Sequence, residues 1–224
     1  MGRINSLFNK MREPVNGLTH YIAALIALVG LAALVIISRD DLPKQISLLI
    51  YGSSLVLMFL ASATYHLVRT RTKVTQFLRK LDHTAIYVLI AGTYTPLAFN
   101  RFSGIYRWGL LDAIWAIALA GIITKMIVIK GPRWLSAVTY VIMGWLAVFA
   151  IKEMLRVLPA AALFWLVLGG VMFTLGAVVY ATKAFNFKPG VFGFHEVWHI
   201  FVILGALCHF ILIAIFVAPI PRIF

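Results

Sequence analysis

Charge and cysteine are both scarce in this 224-residue chain. Asp, Glu, Lys and Arg make up 12% of it, about half the share found in a soluble domain. Water is therefore not its main solvent, and a globular soluble enzyme is excluded. The single cysteine, Cys208, lies inside an apolar run. No intrachain disulfide is possible, and cysteine use leaves the compartment open. Acidic residues are scarcer than basic ones, 7 against 20, for a net charge of +13. In a soluble protein that excess would suggest nucleic acid. Here the basic residues sit between apolar runs with no folded basic surface to carry them. They read as topology signals and as contacts for anionic lipid at the cytosolic loops, and no nucleic-acid partner is expected. The first 17 residues are polar and lack an apolar core, so no cleavable signal peptide is expected. Met1-Gly2-Arg3-Ile4-Asn5-Ser6 fits a loose myristoylation pattern. We read it as chance, because a chain with many spans gains little from one acyl anchor.

Apolar residues are what the chain has in abundance. They make up 62% of it, and the mean hydropathy is +0.98. Apolar runs fall at about 18–38, 46–68, 81–99, 108–129, 134–157, 160–182 and 193–217. Each is long enough to cross a bilayer as a helix, which takes roughly 20 mostly apolar residues. The breaks carry turn and charge signals, such as Arg39-Asp40-Asp41-Leu42-Pro43-Lys44, Arg69 to Lys80, and Lys130-Gly131-Pro132-Arg133. The weakest is Leu158-Pro159. No repeat or linker divides the chain. The expectation is an all-α, seven-transmembrane helix bundle forming a single integral membrane domain, 1–224. With the N-terminus cytosolic and the C-terminus outside, 13 of the 20 Lys and Arg fall inside and 7 outside, as the positive-inside bias requires.

Ionisable groups inside a membrane are costly and point to function. In this topology Ser62 and His66 lie in the last cytosolic turns of the second span. Asp82 and His83 lie in the first turn of the third, and His195, Glu196 and His199 in the first two turns of the seventh. His20, on the first span, shares that depth. His195 and His199 are four apart and face the same way. Three imidazoles with one open position suit a catalytic zinc ion, whose water ionises near pH ~7, although copper, iron and nickel also accept imidazole. Asp82 would orient that water or take its proton, and Ser62 would hydrogen-bond a substrate oxygen or a ligand. Taken alone, Asp82 could equally cap the third helix, and His20 and His83 read first as interfacial or hydrogen-bonded residues. His195-Glu196-Val197-Trp198-His199 matches the H-E-x-x-H pattern, but Glu196 points about 100° away from His195, so it ranks behind Asp82 as a base. His209, Asp112 and Glu153 are expected in packing or interfacial roles. Tyr94, Tyr106, Trp108, Trp134, Trp145, Trp165 and Trp198 read as membrane-belt aromatics. Pro96 is expected to kink or end the third span.

Several segments together carry a resemblance. They are Glu13-Pro14-Val15-Asn16-Gly17-Leu18-Thr19-His20, Ser62-Ala63-Thr64-Tyr65-His66, Leu81-Asp82-His83-Thr84-Ala85-Ile86-Tyr87, Ala91-Gly92-Thr93-Tyr94-Thr95-Pro96 and Phe194-His195-Glu196-Val197-Trp198-His199. This pattern resembles the bacterial hemolysin III family, within the progestin and adiponectin receptor superfamily, which is similar to alkaline ceramidases. The resemblance implies seven helices, a cytosolic N-terminus, a bacterial plasma-membrane location and a zinc ion near the cytosolic face. It implies His66, His195 and His199 as zinc ligands, Asp82 holding the attacking water and Ser62 as its companion. It also implies lipid amide hydrolysis, with a fatty-acyl membrane lipid as partner. A soluble N-terminal extension like that of the animal receptors is not expected, nor is a protein-hormone partner.

Three functions follow as expectations. The first is a zinc-dependent hydrolase of a lipid amide or ester. The second is a sensor or regulator of membrane lipid state with structural zinc, in which His20, His83 or Asp82 would complete the metal shell. The third is a pore-forming cytolysin, which ranks lower because the spans lack the polar stripes of a wide pore. A proton- or ion-coupled transporter using the buried Asp and His groups is a further option.

Overall fold

The computed structural model describes residues 11–127, 133–188 and 191–223. Among them the chain is helical throughout, as expected. The helices are α1 (Pro14–Ile37), α2 (Leu42–Leu67), α3 (Thr72–Arg101), α4 (Gly104–Ile127), α5 (Arg133–Trp145), α6 (Ile151–Val157), α7 (Ala160–Thr182) and α8 (Phe194–Phe216). A 3-10 turn, Leu146–Ala150, joins α5 to α6, and together they make one rod. No strand forms among the described residues; a lone antiparallel bridge links Lys188 and Phe192 between α7 and α8. The Met1–Ser6 pattern and the Lys130-Gly131-Pro132 break lie outside the described residues.

Six rods are long and apolar enough to cross a membrane: α1, α2, α4, the α5–α6 rod, α7 and α8. Their outward faces carry large apolar side chains such as Val29, Ile127 and Phe149, which are 72%, 73% and 81% exposed. Water would not tolerate such a surface, whereas lipid requires it. The protein is a multi-pass membrane protein.

The exception is α3. It carries Asp82, His83, several threonines, Pro96 and Asn100, and it is the most inward of the rods. It packs against α2, α4, α5 and α8, with Asp82, Thr84, Thr95 and Asn100 all buried. Polar residues within a bilayer face neighbouring helices rather than lipid, so the least apolar helix sits at the centre.

The helix also starts earlier than its apolar pattern does. A break was expected from Arg69 to Lys80, but only residues 68–71 leave the helix. Thr72 to Lys80 is too polar to register as a span. It is nevertheless rich in good helix formers and simply extends α3 beyond the apolar bundle. Asp82 therefore lies nearly three turns inside α3, and the capping role considered for it does not hold. Pro96 does not end the helix, which runs on to Arg101.

Alternation of the rods creates two polar ends. At the histidine end lie the starts of α1, α3 and α8 and the end of α2. At the far end, the C-terminal segment folds back over the bundle. Arg222 pairs with Asp41 at 2.9 Å, and the Ile223 amide donates to the Asn100 carbonyl at 2.9 Å. Glu153, expected in a packing or interfacial role, is buried there and accepts from Ser103 and Arg156. Asp112 is exposed on α4.

Candidate metal centre

The helix termini bring the histidines together. At the end of α2, the Glu13 amide donates to the His66 carbonyl at 2.9 Å and the Arg12 amide to the Leu67 carbonyl at 3.3 Å. These bonds satisfy carbonyls that a helix end leaves open. Gly17 makes the approach possible: a Cβ there would overlap the Leu67 side chain and press on its backbone nitrogen. On α8, Glu196 accepts the Gly193 amide through Oε2 at 2.7 Å, a cap on the first turn. Its Oε1 accepts Asn16 Nδ2 of α1, also at 2.7 Å. Glu196 is thus occupied by capping and by tying α8 to α1. It does not face the ligand group as the H-E-x-x-H base would.

One imidazole nitrogen from each of His66, His195 and His199 falls within 4.8 Å of the others. Nε2 of His66 and Nε2 of His195 are 3.5 Å apart. Two nitrogens bound to one tetrahedral zinc at its usual bond lengths stand about 3.3 Å apart, so the pair is spaced as ligands are. The other nitrogen of His66, Nδ1, donates to Glu13 Oε2 at 2.7 Å. A carboxylate behind a ligating imidazole fixes its tautomer and aims the free lone pair at the ion. Burial would raise the Glu13 carboxyl, but His66, Arg12 and Asn16 outweigh it and hold it at about 2. His199 is 1% exposed, and no side chain hydrogen-bonds either of its ring nitrogens. Buried polar atoms are rarely left so. Three imidazoles within this reach could hold one metal ion, of a kind that accepts nitrogen ligands.

Asp82 and Ser62 lie beside this group. Both are buried, at 5% and 2% exposure, and Ser62 stands next to the Asp82 carboxylate. Asp82 does not belong to the ligand cluster; its Oδ2 faces His83 Nδ1 at 3.3 Å. Asp82, Ser62, His83 and His20 lie at the head of a cavity of about 130 Å³. The cavity descends between α3, α5, α7 and α8, past apolar side chains such as Ile86, Leu89, Phe173 and Val202, to Tyr94 and Trp145. From Asp82 to Tyr94 the helical rise is about 18 Å, somewhat more than half a hydrocarbon core of ~30 Å. The cavity is as deep as one leaflet.

Not every expectation for the aromatics survives. Tyr94 is buried, donating to the Gly144 carbonyl at 2.6 Å and accepting from the Ala147 amide at 2.8 Å. It stitches the 3-10 break in the fifth rod. Trp198 packs its ring on His195 and His199, with centroids 5.2 and 5.3 Å away. Trp108 and Trp134 remain outward, at 55% and 56% exposure. His209 packs closely on Gly169 and bonds the Leu166 carbonyl, away from the ligand group. Residue-level reasoning missed Glu13 and Asn16. Their signal was weak, since both read as ordinary polar residues preceding a span.

Sequence comparison shows the family. Residues 8–210 match the family described as "Haemolysin-III related". The chain belongs to the haemolysin-III family. It is 33% identical over 217 residues to the "Hemolysin-3 homolog" of Bacillus subtilis (strain 168), covering 96% of this chain and 99% of that protein. It is also 33% identical over 209 residues to "Hemolysin-3" of Bacillus cereus, covering 92% of each. The "ADIPOR-like receptor IZH2" of Saccharomyces cerevisiae is 26% identical over 227 residues, covering 91% of this chain and 71% of that protein. Relatives of this kind place haemolysin-III proteins within the wider superfamily that includes the adiponectin receptors.

Proposed function

We propose that this haemolysin-III protein is a metal-dependent hydrolase of a membrane lipid amide or ester, with zinc held by His66, His195 and His199. The observation that carries the reading is the junction of two features: a three-imidazole cluster, and an apolar cavity of leaflet depth whose head is polar. Zinc bound there would supply Lewis acidity to a carbonyl and to the attacking water. Glu13 would hold His66 in its ligating tautomer. Asp82 Oδ2 would accept the water's proton, and Ser62 would orient the Asp82 carboxylate or the substrate oxygen. Apolar walls would bind the acyl chain and keep bulk water out. All seven rods would cross the membrane, with α3 shielded by the others. The histidine end would face the cytosol, a reading supported by the basic residues exposed there, Arg69, Arg71, Lys73, Arg79, Lys183 and Lys188. These same groups suit anionic headgroups.

A second reading has one observation in its favour. The three ligating residues themselves do not line the cavity; His20, Ser62 and Asp82 do. A lipid sensor with structural metal would have that arrangement. The two readings separate on turnover. Purified protein reconstituted in vesicles containing ceramide-like amides and acyl esters is assayed for released fatty acid. The hydrolase reading expects release, lost in Asp82→Asn while bound zinc stays near one per chain. Zinc-loaded, folded protein that releases nothing from either lipid class favours the sensor.

A further inference from the structure

Glycines inside the described helices fall into two groups. Most stand where a neighbouring helix leaves no room for a side chain. A Cβ at Gly52 would come within 2.5 Å of Leu31, one at Gly121 within 2.3 Å of Tyr87, and one at Gly169 within 2.3 Å of His209. Close helix packing explains such glycines. Gly144 on α5 and Gly170 on α7 are different. A Cβ at Gly144 would meet nothing within 4 Å, and one at Gly170 only the Trp145 ring, at 3.7 Å. Neither has a positive φ, so no left-handed backbone asks for glycine there. Alanine would make the better helix, and it would fit. Both glycines line the cavity, at the level of Tyr94 and Trp145. The helical period agrees. Ala137, Tyr140 and Val141 precede Gly144 along one face of α5, Phe173, Thr174 and Ala177 follow Gly170 along one face of α7, and all six line the same space. Hydrogen bonds pin both backbones at this depth. Tyr94 donates to the Gly144 carbonyl at 2.6 Å. Trp145 Nε1 donates to Thr174 Oγ1 at 3.0 Å, and that hydroxyl donates to the Gly170 carbonyl at 2.7 Å.

We propose that Gly144 and Gly170 set the length of acyl chain that the cavity admits. With the polar end of the lipid beside Asp82, the tail of its chain ends over the two glycines. Their missing Cβ atoms leave the space that its last carbons fill. The cavity is about 130 Å³, so one added methyl group takes a share that close-packed walls do not give back. The inference rests on the lipid-binding part of the proposed function but not on turnover.

The test reads chain length rather than activity. Zinc-loaded protein in detergent is incubated with an equimolar mixture of straight-chain primary fatty amides of graded length. The amides retained after gel filtration are counted by mass spectrometry. Wild type should retain a distribution with a clear maximum. Gly144→Val and Gly170→Val should each move that maximum to shorter chains, with the longest amides falling about tenfold or more against the shortest. Gly144→Ala and Gly170→Ala should move it less, and neither should lower the Tm, because each gains a better helix former where a methyl group has room. An unchanged length profile in the folded Val variants overturns the proposal, as does an equal loss at every length. A lowered Tm in both Ala variants also overturns it, by showing the glycines to be packing positions. If wild type retains no amide of any length, the lipid-binding reading fails and this proposal with it. If the profile shifts as expected while no lipid is ever cleaved, the hydrolase reading fails and this one stands.

Discussion

The two ends of the bundle treat their polar groups in different ways. At the far end they satisfy one another. Glu153 takes hydrogen bonds from the Ser103 amide, the Ser103 hydroxyl and Arg156. Asn100 reaches Ser47 at 2.8 Å, Arg101 reaches the Val157 and Pro221 carbonyls, and Asp41 holds Arg222. Among the described residues, Asn100 Oδ1, Arg101 Nε and, further into the bundle, the Tyr51 hydroxyl are left over on that side. At the histidine end, no side chain hydrogen-bonds a ring nitrogen of His20 or His199, and Asn16 Oδ1, Arg12 Nε and His83 Nδ1 are also left over. Closed networks hold a structure together; open ones in an otherwise well-packed protein are kept for something that binds. The comparison therefore separates structural polarity from functional polarity without reference to any relative.

The contrast can be broken most directly at the ligands. His66→Ala, His195→Ala and His199→Ala should each remove zinc measured per chain by mass spectrometry, while His209→Ala retains it. Metal retained by all three would mean that the open nitrogens serve something else. Next in size is the support behind His66. Glu13→Gln should weaken zinc affinity by about 10–100-fold, read by competition with a chelator, because the tautomer is no longer held by a carboxylate. The far end should show the reverse pattern. Glu153→Gln should lower the Tm in detergent by roughly 2–4 °C with zinc content unchanged, since it loosens a closed network and touches no ligand. The smallest effect belongs to Arg222→Ala, about 0–1 kcal/mol for a partly exposed pair. Its sign with pH is defined. Burial would raise the Asp41 carboxyl, but the Lys44 amide and Arg222 hold it below its ordinary value. The stabilisation is present at neutral pH and is lost as pH falls through the lowered value. Arg222→Ala should flatten that acid limb of a Tm-against-pH curve.

Much of this was legible in one dimension. Six rods announced themselves by apolar length, and their ends agree with the apolar runs to within a few residues; for α7 the limits coincide. The third, 81–99, was read as a span like the others, but its start was placed too late. Hydropathy sees only the lipid-facing part of a helix, so the polar extension Thr72 to Lys80 looked like a loop. His66, His195 and His199 were legible because alternation of spans puts them at one depth, and i,i+4 spacing puts two of them on one face. Glu196 ranked behind Asp82 as a base, and its orientation was not legible, because a pattern in sequence does not say which way a carboxylate turns. The cap on Gly193 and the bond to Asn16 decide that.

The sequence by itself determined that this chain lives in a membrane, where its helices run, and which histidines could meet, because each of these follows from local composition and the fixed rise of a helix. Tertiary structure alone decided which polar groups are paired and which are left open. Glu13 behind His66, the stacking of His20 on His199 and the shaft beneath Asp82 all depend on contacts between helices far apart in the chain. Hydrogen-bond satisfaction is a property of the packed neighbourhood, and no periodicity along the chain encodes it.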